Sequence, residues 1–252
     1  MAEKADLCGE NVTWMERPAE KSDVPDLERL SGLGEIWVRQ RRKVKEEFLK
    51  WAPMGNFWVE NAEGHKILDV KEEAEKAEKK FFQEDRGFVL HATDEVEKEI
   101  LQIVRPFKAK AAFFSSLTDS TGWELQVYGP PDNLIGKIKQ KGSWLHKRFQ
   151  ITNQNEEVRF YVKGPMIETQ FFKEDVEFKI FSDEDESKQI GSIVRKFTNW
   201  KQEIFTNAQD FVLKCEPDLK VSEKALLLGA LFLVDYICYE KSGHPTQSYA
   251  GQ

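Results

Sequence analysis

Ser222-Glu223-Lys224-Ala225-Leu226-Leu227-Leu228-Gly229-Ala230-Leu231-Phe232-Leu233-Val234-Asp235-Tyr236-Ile237-Cys238-Tyr239-Glu240 is the stretch that decides how the rest of this chain has to fold. Its ends carry helix punctuation. Ser222 has the side chain of an N-cap, Glu223 places an anion at the positive end of the dipole, and Lys241, Gly243 and Pro245 are stop signals. Between them there is no polar stripe: Leu226, Leu227, Leu228, Leu231, Phe232, Leu233 and Val234 point all the way round, so the helix needs cover on every side. Lipid and protein are the two available covers. A bilayer takes about 20 apolar residues, whereas the uninterrupted run here is Ala225 to Val234, and Asp235 then breaks it. A carboxylate at mid-membrane costs roughly 2.5–3.5 kcal/mol. Length and charge therefore favour a core helix inside a protein shell over membrane insertion. Burying those large apolar side chains contributes roughly 10–20 kcal/mol before entropy is subtracted, enough to organise a fold.

Composition sets the outer bounds. A chain of 252 residues makes one large domain or two small ones. A hydrophobic share of 40% can form a sizeable core, and a charged share of 32% gives a soluble surface. The net charge of −7 disfavours general nucleic-acid binding. Cys8, Cys215 and Cys238 have no zinc or disulfide spacing, and no apolar signal segment opens the chain, which points to the cytosolic side of the cell.

Upstream of the helix, alternation and turn chemistry predict strands. Residues 1–25 are polar and aperiodic and read as a mobile tail, and Leu27 to Leu33 as a short helical lead-in. Glu35–Lys45 alternates, with Ile36, Val38 and Val44 on one face and Trp37, Arg39, Arg41, Lys43 and Lys45 on the other. Five hairpins follow at fairly even spacing, turning at Asn61–Gly64, after Ala92, at Gly129–Asn133, at Asn153–Glu156 and at Ser182–Ser187. Two of them echo one another, Leu134-Ile135-Gly136-Lys137-Ile138 and Gln189-Ile190-Gly191-Ser192-Ile193. Even spacing predicts a sandwich or barrel, and a closed barrel both removes sheet edges and offers an apolar lumen for the helix. Lys71–Lys80, with Glu/Lys neighbours four apart and no apolar face, reads as a solvated helical insertion.

Ile204–Leu213, then Pro217-Asp218-Leu219, then the apolar helix ending Phe232-Leu233-Val234-Asp235-Tyr236 resemble the phospholipid scramblase family. Upstream, Leu27-Glu28-Arg29-Leu30, Gln126–Pro131, Phe149–Asn155, Lys163-Gly164-Pro165 and Asp175–Ile180 are similar to that family's strand landmarks, in order. The resemblance implies a mainly β chain: a closed antiparallel tubby-like β-barrel over residues 26–241, wrapped around a buried C-terminal hydrophobic α-helix at about 222–240, with residues 242–252 as a flexible tail. Leu226, Leu227, Leu231, Phe232 and Val234 are the expected core of that helix. The family is described as moving phospholipids across bilayers in response to Ca²⁺ from the cytosolic face, which implies a phospholipid membrane surface as partner and the plasma membrane, or otherwise the cytoplasm, as location.

The chain departs from the family in three places. The family's acidic calcium segment falls on Asn207, Gln209, Phe211, Leu213, Cys215 and Asp218, where one carboxylate remains; Ca²⁺ needs six to eight oxygen ligands, so calcium binding is predicted to be weak. The family's cysteine clusters, taken as acylation sites, are absent, and the corresponding loops hold Phe81-Phe82, Phe113-Phe114 and Phe171-Phe172 with lysines beside them. Phe beside Lys suits an interfacial membrane contact, as do the cations Arg39, Arg41, Lys43 and Lys45; barrel-end packing and a solvated strand face are the plainer alternatives. A second basic patch is formed by Lys137, Lys139, Lys141, Lys147 and Arg148. Lastly, residues 1–25 hold no P-x-x-P run for recruiting partner domains.

For enzyme chemistry the yield is poor: the four histidines are scattered, and no nucleophile elbow, phosphate loop or dinucleotide fingerprint occurs. Transbilayer phospholipid movement, not catalysis, is the expected activity. The alternatives are a membrane- or protein-binding adaptor without scrambling, and a soluble barrel that binds protein partners through its basic face.

Overall fold

A computed structural model describes residues 13–41, 56–73, 87–106, 123–129, 132–141, 146–166, 175–196 and 210–236. Twelve strands form one closed sheet: β1 (Glu35–Arg41), β2 (Asn56–Asn61), β3 (Lys66–Glu73), β4 (Phe88–Thr93), β5 (Glu99–Arg105), β6 (Glu124–Gly129), β7 (Asn133–Lys141), β8 (His146–Asn153), β9 (Val158–Met166), β10 (Val176–Phe181), β11 (Gln189–Lys196) and β12 (Asp210–Cys215). Every strand pairs antiparallel with its neighbours in sequence, and β1 pairs with β12, so no edge is left open. The alternation read from the sequence is the in/out alternation of the wall: β4 and β6 bury every second residue. The echoed glycines share one cause. A Cβ on Gly136 would sit 2.1 Å from the Thr152 carbonyl, and one on Gly191 would sit 2.2 Å from the Lys214 carbonyl, so both hairpins need a bare backbone there.

The lumen holds α1 (Val221–Asp235), of which every residue but Ser222 is buried. Leu226, Leu227, Leu231, Phe232 and Val234 have at most 3% exposure, and sheet side chains supply the cover. Protein, not lipid, surrounds the apolar run, and no helix among the described residues is long and apolar enough to cross a membrane. Gly229 sets the distance to the wall: a Cβ there would come within 2.6 Å of Val127 Cγ2 on β6.

Three local expectations are corrected. The N-cap is Lys220, whose N–H donates to Glu223 Oε2 at 3.1 Å. Ser222 is already helical, and its N–H and hydroxyl both donate to Asp23. The segment Lys71–Lys80 begins as strand, since β3 runs to Glu73 and pairs Glu72 with Leu90, so tertiary pairing overrides helix propensity; residues 74–80 lie outside the described residues. The polar segment taken as a mobile tail is strapped to the barrel from residue 13 onward. Met15 N–H donates to the Lys66 carbonyl at 2.8 Å, Lys66 N–H to the Thr13 carbonyl at 2.9 Å, and Arg29 and Lys66 both face the Trp14 ring. Arg29, buried within a 3-10 turn at Glu28–Leu30, holds Glu95 with two hydrogen bonds of 2.6 and 2.8 Å.

Candidate functional site

With the lumen filled, chemistry has to be sought on the barrel wall and at its ends. At the C-terminal end of α1 an aromatic collar closes the lumen: Phe57 meets Phe232 edge-on at 5.2 Å, and Tyr236 packs on Phe88 at 5.0 Å and on Trp123 at 5.7 Å. Arg105 lies 3.8 Å from the Trp123 centroid and donates to the Tyr236 hydroxyl at 2.9 Å. This end offers no passage for a lipid headgroup through the described barrel.

The calcium segment falls partly on β12. Phe211 and Leu213 point into the core with at most 2% exposure, and Cys215 is buried with its thiol pushed up by burial. The strand is paired on both sides, with β1 and β11, so its carbonyls belong to the sheet. Asp218 is exposed in the turn before α1, and Asn207 and Gln209 lie outside the described residues. Calcium requires convergent oxygens. The described part of this segment supplies one carboxylate and three inward apolar side chains, and does not fit the ion.

Among the cations expected at a membrane, Arg39 is spoken for. Its Nε donates to Glu60 Oε1 at 2.6 Å, a second nitrogen pairs with Asp210 Oδ2, and its guanidinium covers the Trp37 ring at 4.6 Å. It clamps β1 to β2 and β12 across the seam where the barrel closes. Burial raises the Asp210 carboxyl above its ordinary value, against the opposing pull of Arg39. Arg41 ends β1, while Lys43, Lys45 and the pairs Phe81-Phe82, Phe113-Phe114 and Phe171-Phe172 lie outside the described residues.

The second basic patch gains members that the sequence does not reveal. Strand register places Lys141 opposite Arg148, Arg148 opposite Lys163, and Lys163 opposite Lys179, so four cations stand in one row across β7, β8, β9 and β10. Facing partners on adjacent strands share a sheet face, and Lys141, Arg148 and Lys179 are exposed. Beside the row is a cavity of about 210 Å³ lined by Lys141, Arg148, Gln150, Tyr161, Lys163 and Glu186, among others. Glu186 reaches back from the β10–β11 turn, accepting from Arg148 at 2.8 Å and Lys163 at 2.5 Å. Lys137 and Lys139, four and two residues before Lys141 on β7, pair instead with Glu156 and Glu124. Lys163 and Lys179 were missed because a register between strands cannot be counted off along one strand.

Comparison with known proteins supplies the lineage. A sequence profile described as Scramblase matches residues 15–241. This chain belongs to the scramblase family. Human phospholipid scramblase 2 is 27% identical over 234 residues, covering 92% of this chain and 77% of its own length. Human phospholipid scramblase 4 is 29% identical over 232 residues, covering 92% and 69% respectively, and human phospholipid scramblase family member 5 is 28% identical, covering 86% and 78%. An X-ray structure of an Arabidopsis thaliana protein aligns with TM-score 0.44 and 16% identity over 85% of this chain and 99% of that one, too distant to carry more than the likeness itself. In this family member the helix is buried inside the closed sheet, and the cation row stands on the outside of the wall.

Proposed function

We propose that this scramblase-family protein assists transbilayer movement of phospholipids from the cytosolic face of the plasma membrane, with little dependence on calcium and no covalent step. Family membership supports the lipid-handling class. The single observation that gives the reading its form is the sheathing of α1 within a closed barrel. A headgroup needs a polar route through about 30 Å of hydrocarbon, and a filled lumen does not provide one, so lipids would move along the outside of the barrel, by local thinning of the bilayer against it. The inward side chains of Phe211, Leu213 and Cys215 support calcium independence.

A dye-quench assay on vesicles reconstituted with the full chain tests this reading. Lipid exchange between leaflets at equal rates in calcium and in chelator is the expected result. A rate that rises about tenfold or more with calcium would overturn the calcium claim, on the scale of one well-made ligand interaction. No exchange in either condition, with vesicle binding retained, would favour the adaptor reading instead.

A further inference from the structure

The row Lys141–Arg148–Lys163–Lys179 stands on a protein whose net charge is −7, in an arrangement that folding alone disfavours, because like charges directly opposite on neighbouring strands destabilise a sheet. Its two central members share one carboxylate, Glu186, while Lys141 and Lys179 at the ends have no carboxylate partner among the described residues. We propose that this face is a binding site for a phosphate monoester, and that Glu186 is a tethered anion which the ligand displaces.

Shape and charge both support the assignment. Adjacent strands are about 4.8 Å apart, so successive cations are spaced to reach different oxygens of one or two phosphate groups. Arg148 brings a planar fork that matches phosphate oxygens, and the lysines bring point charges. Gln150 and Tyr161 line the same cavity of about 210 Å³ and add neutral donors. A phosphate monoester carries about −1.5 to −2 charge at neutral pH, more than the single charge of Glu186, so exchange of one for the other favours the ligand. The turn that carries Glu186 is built to hold it back over the sheet. Glu186 itself adopts φ +61°, a left-handed conformation uncommon for Glu, and Asp183 accepts the N–H groups of Ser187 at 2.7 Å and Lys188 at 3.1 Å, setting the loop. Glu184 also lines the cavity and adds a second negative charge that the ligand must tolerate. The inference does not depend on lipid movement, since the phosphate can sit on a headgroup or on a soluble molecule.

Titration calorimetry of the full chain with inorganic pyrophosphate tests the site, and flotation with two vesicle types identifies the source. One vesicle holds four parts phosphatidylcholine to one part phosphatidic acid, a monoester; the other replaces phosphatidic acid with phosphatidylglycerol, a diester. Pyrophosphate should bind the wild type. The double variant Lys141→Glu with Lys179→Glu should bind about tenfold or more weakly, as expected for loss of charge-assisted hydrogen bonds. Glu186→Gln should bind more tightly, because it frees Arg148 and Lys163. Flotation with phosphatidic acid over phosphatidylglycerol, lost in the double variant, would place the phosphate on lipid; pyrophosphate binding with no preference between vesicles would place it on a soluble ligand. Absence of both pyrophosphate and phosphatidic acid binding, or unchanged binding in a double variant with wild-type melting, would overturn the proposal. If the double variant melts early, Glu186→Gln decides alone: weaker or equal binding to pyrophosphate refutes displacement.

Discussion

Two residues on α1 show how little slack the barrel interior has. Gly229 admits no side chain without moving Val127, since even a Cβ would lie 2.6 Å from its Cγ2. Gly229→Val should therefore lower stability by roughly 1–3 kcal/mol through overpacking, a loss that its small change in helix propensity does not offset, and urea denaturation would read it. Lys224 has 0% exposure, and its ammonium donates to the carbonyls of Leu30 at 3.1 Å and Pro217 at 2.7 Å. Burial pulls its pKa below the ordinary 10.5, against the opposing influence of Cys215 and Asp218. The folded chain therefore gives up this proton at lower pH than the unfolded chain does, so stability attributable to the group rises with pH up to about 10.5 and is diminished below the folded value. Between neutrality and that limit, Lys224→Met should flatten the rise in denaturation midpoint that the wild type shows. A variant whose pH profile parallels the wild type would show that the buried amine is not titrating there.

At the scale of elements, α1 is fixed at its start by groups far away in the chain. Asp23 accepts from both the N–H and the hydroxyl of Ser222, and Arg159 on β9 holds Glu223 with two hydrogen bonds to Oε1. Asp23→Ala should cost roughly 0.5–2 kcal/mol, the range for losing an N-terminal cap, visible as a lower melting temperature. The hairpins and the central helix were legible in the sequence because their signals are local: turn residues between alternating runs, and an apolar run with no polar face. The Asp23 clamp was not, because the partner lies 199 residues away. The strand character of Lys71, Glu72 and Glu73 was hidden for the same reason, since it shows only in their pairing with β4 and, for Lys71, with Asn56 on β2. The cation row follows from register across four strands, and a single strand shows no more than alternate lysines. The burial of Lys224 has no local signal either, because the Leu30 carbonyl that takes its ammonium lies 194 residues away.

The whole molecule depends on one seam. Ile36 stands opposite Leu213 and Val38 opposite Phe211, and on the outer face Arg39 ties Glu60 and Asp210 together. Both partners of the Arg39–Asp210 pair are partly exposed, at 31% and 18%, so solvent screening limits its strength. A double-mutant cycle with Arg39→Met and Asp210→Asn should give a coupling of about 0.5–1 kcal/mol; a value near zero would show that the ladder closes the barrel without the clamp. The closed sheet leaves its outer wall to carry surface chemistry, and the row from Lys141 to Lys179 stands there.

Pairing of the first strand with the last also dictates an order of events during synthesis. On a ribosome, β1 emerges early and must wait for β12, and α1 follows later still. At roughly 5–20 residues per second, the half-finished wall stands with its greasy inner surface uncovered for on the order of ten seconds or more. The plug that fills it is the final piece to arrive and the stickiest. Nascent copies of this chain should thus lean on chaperones more heavily than helical proteins of equal size, and premature stop codons between β12 and α1 should yield insoluble product rather than a weaker barrel.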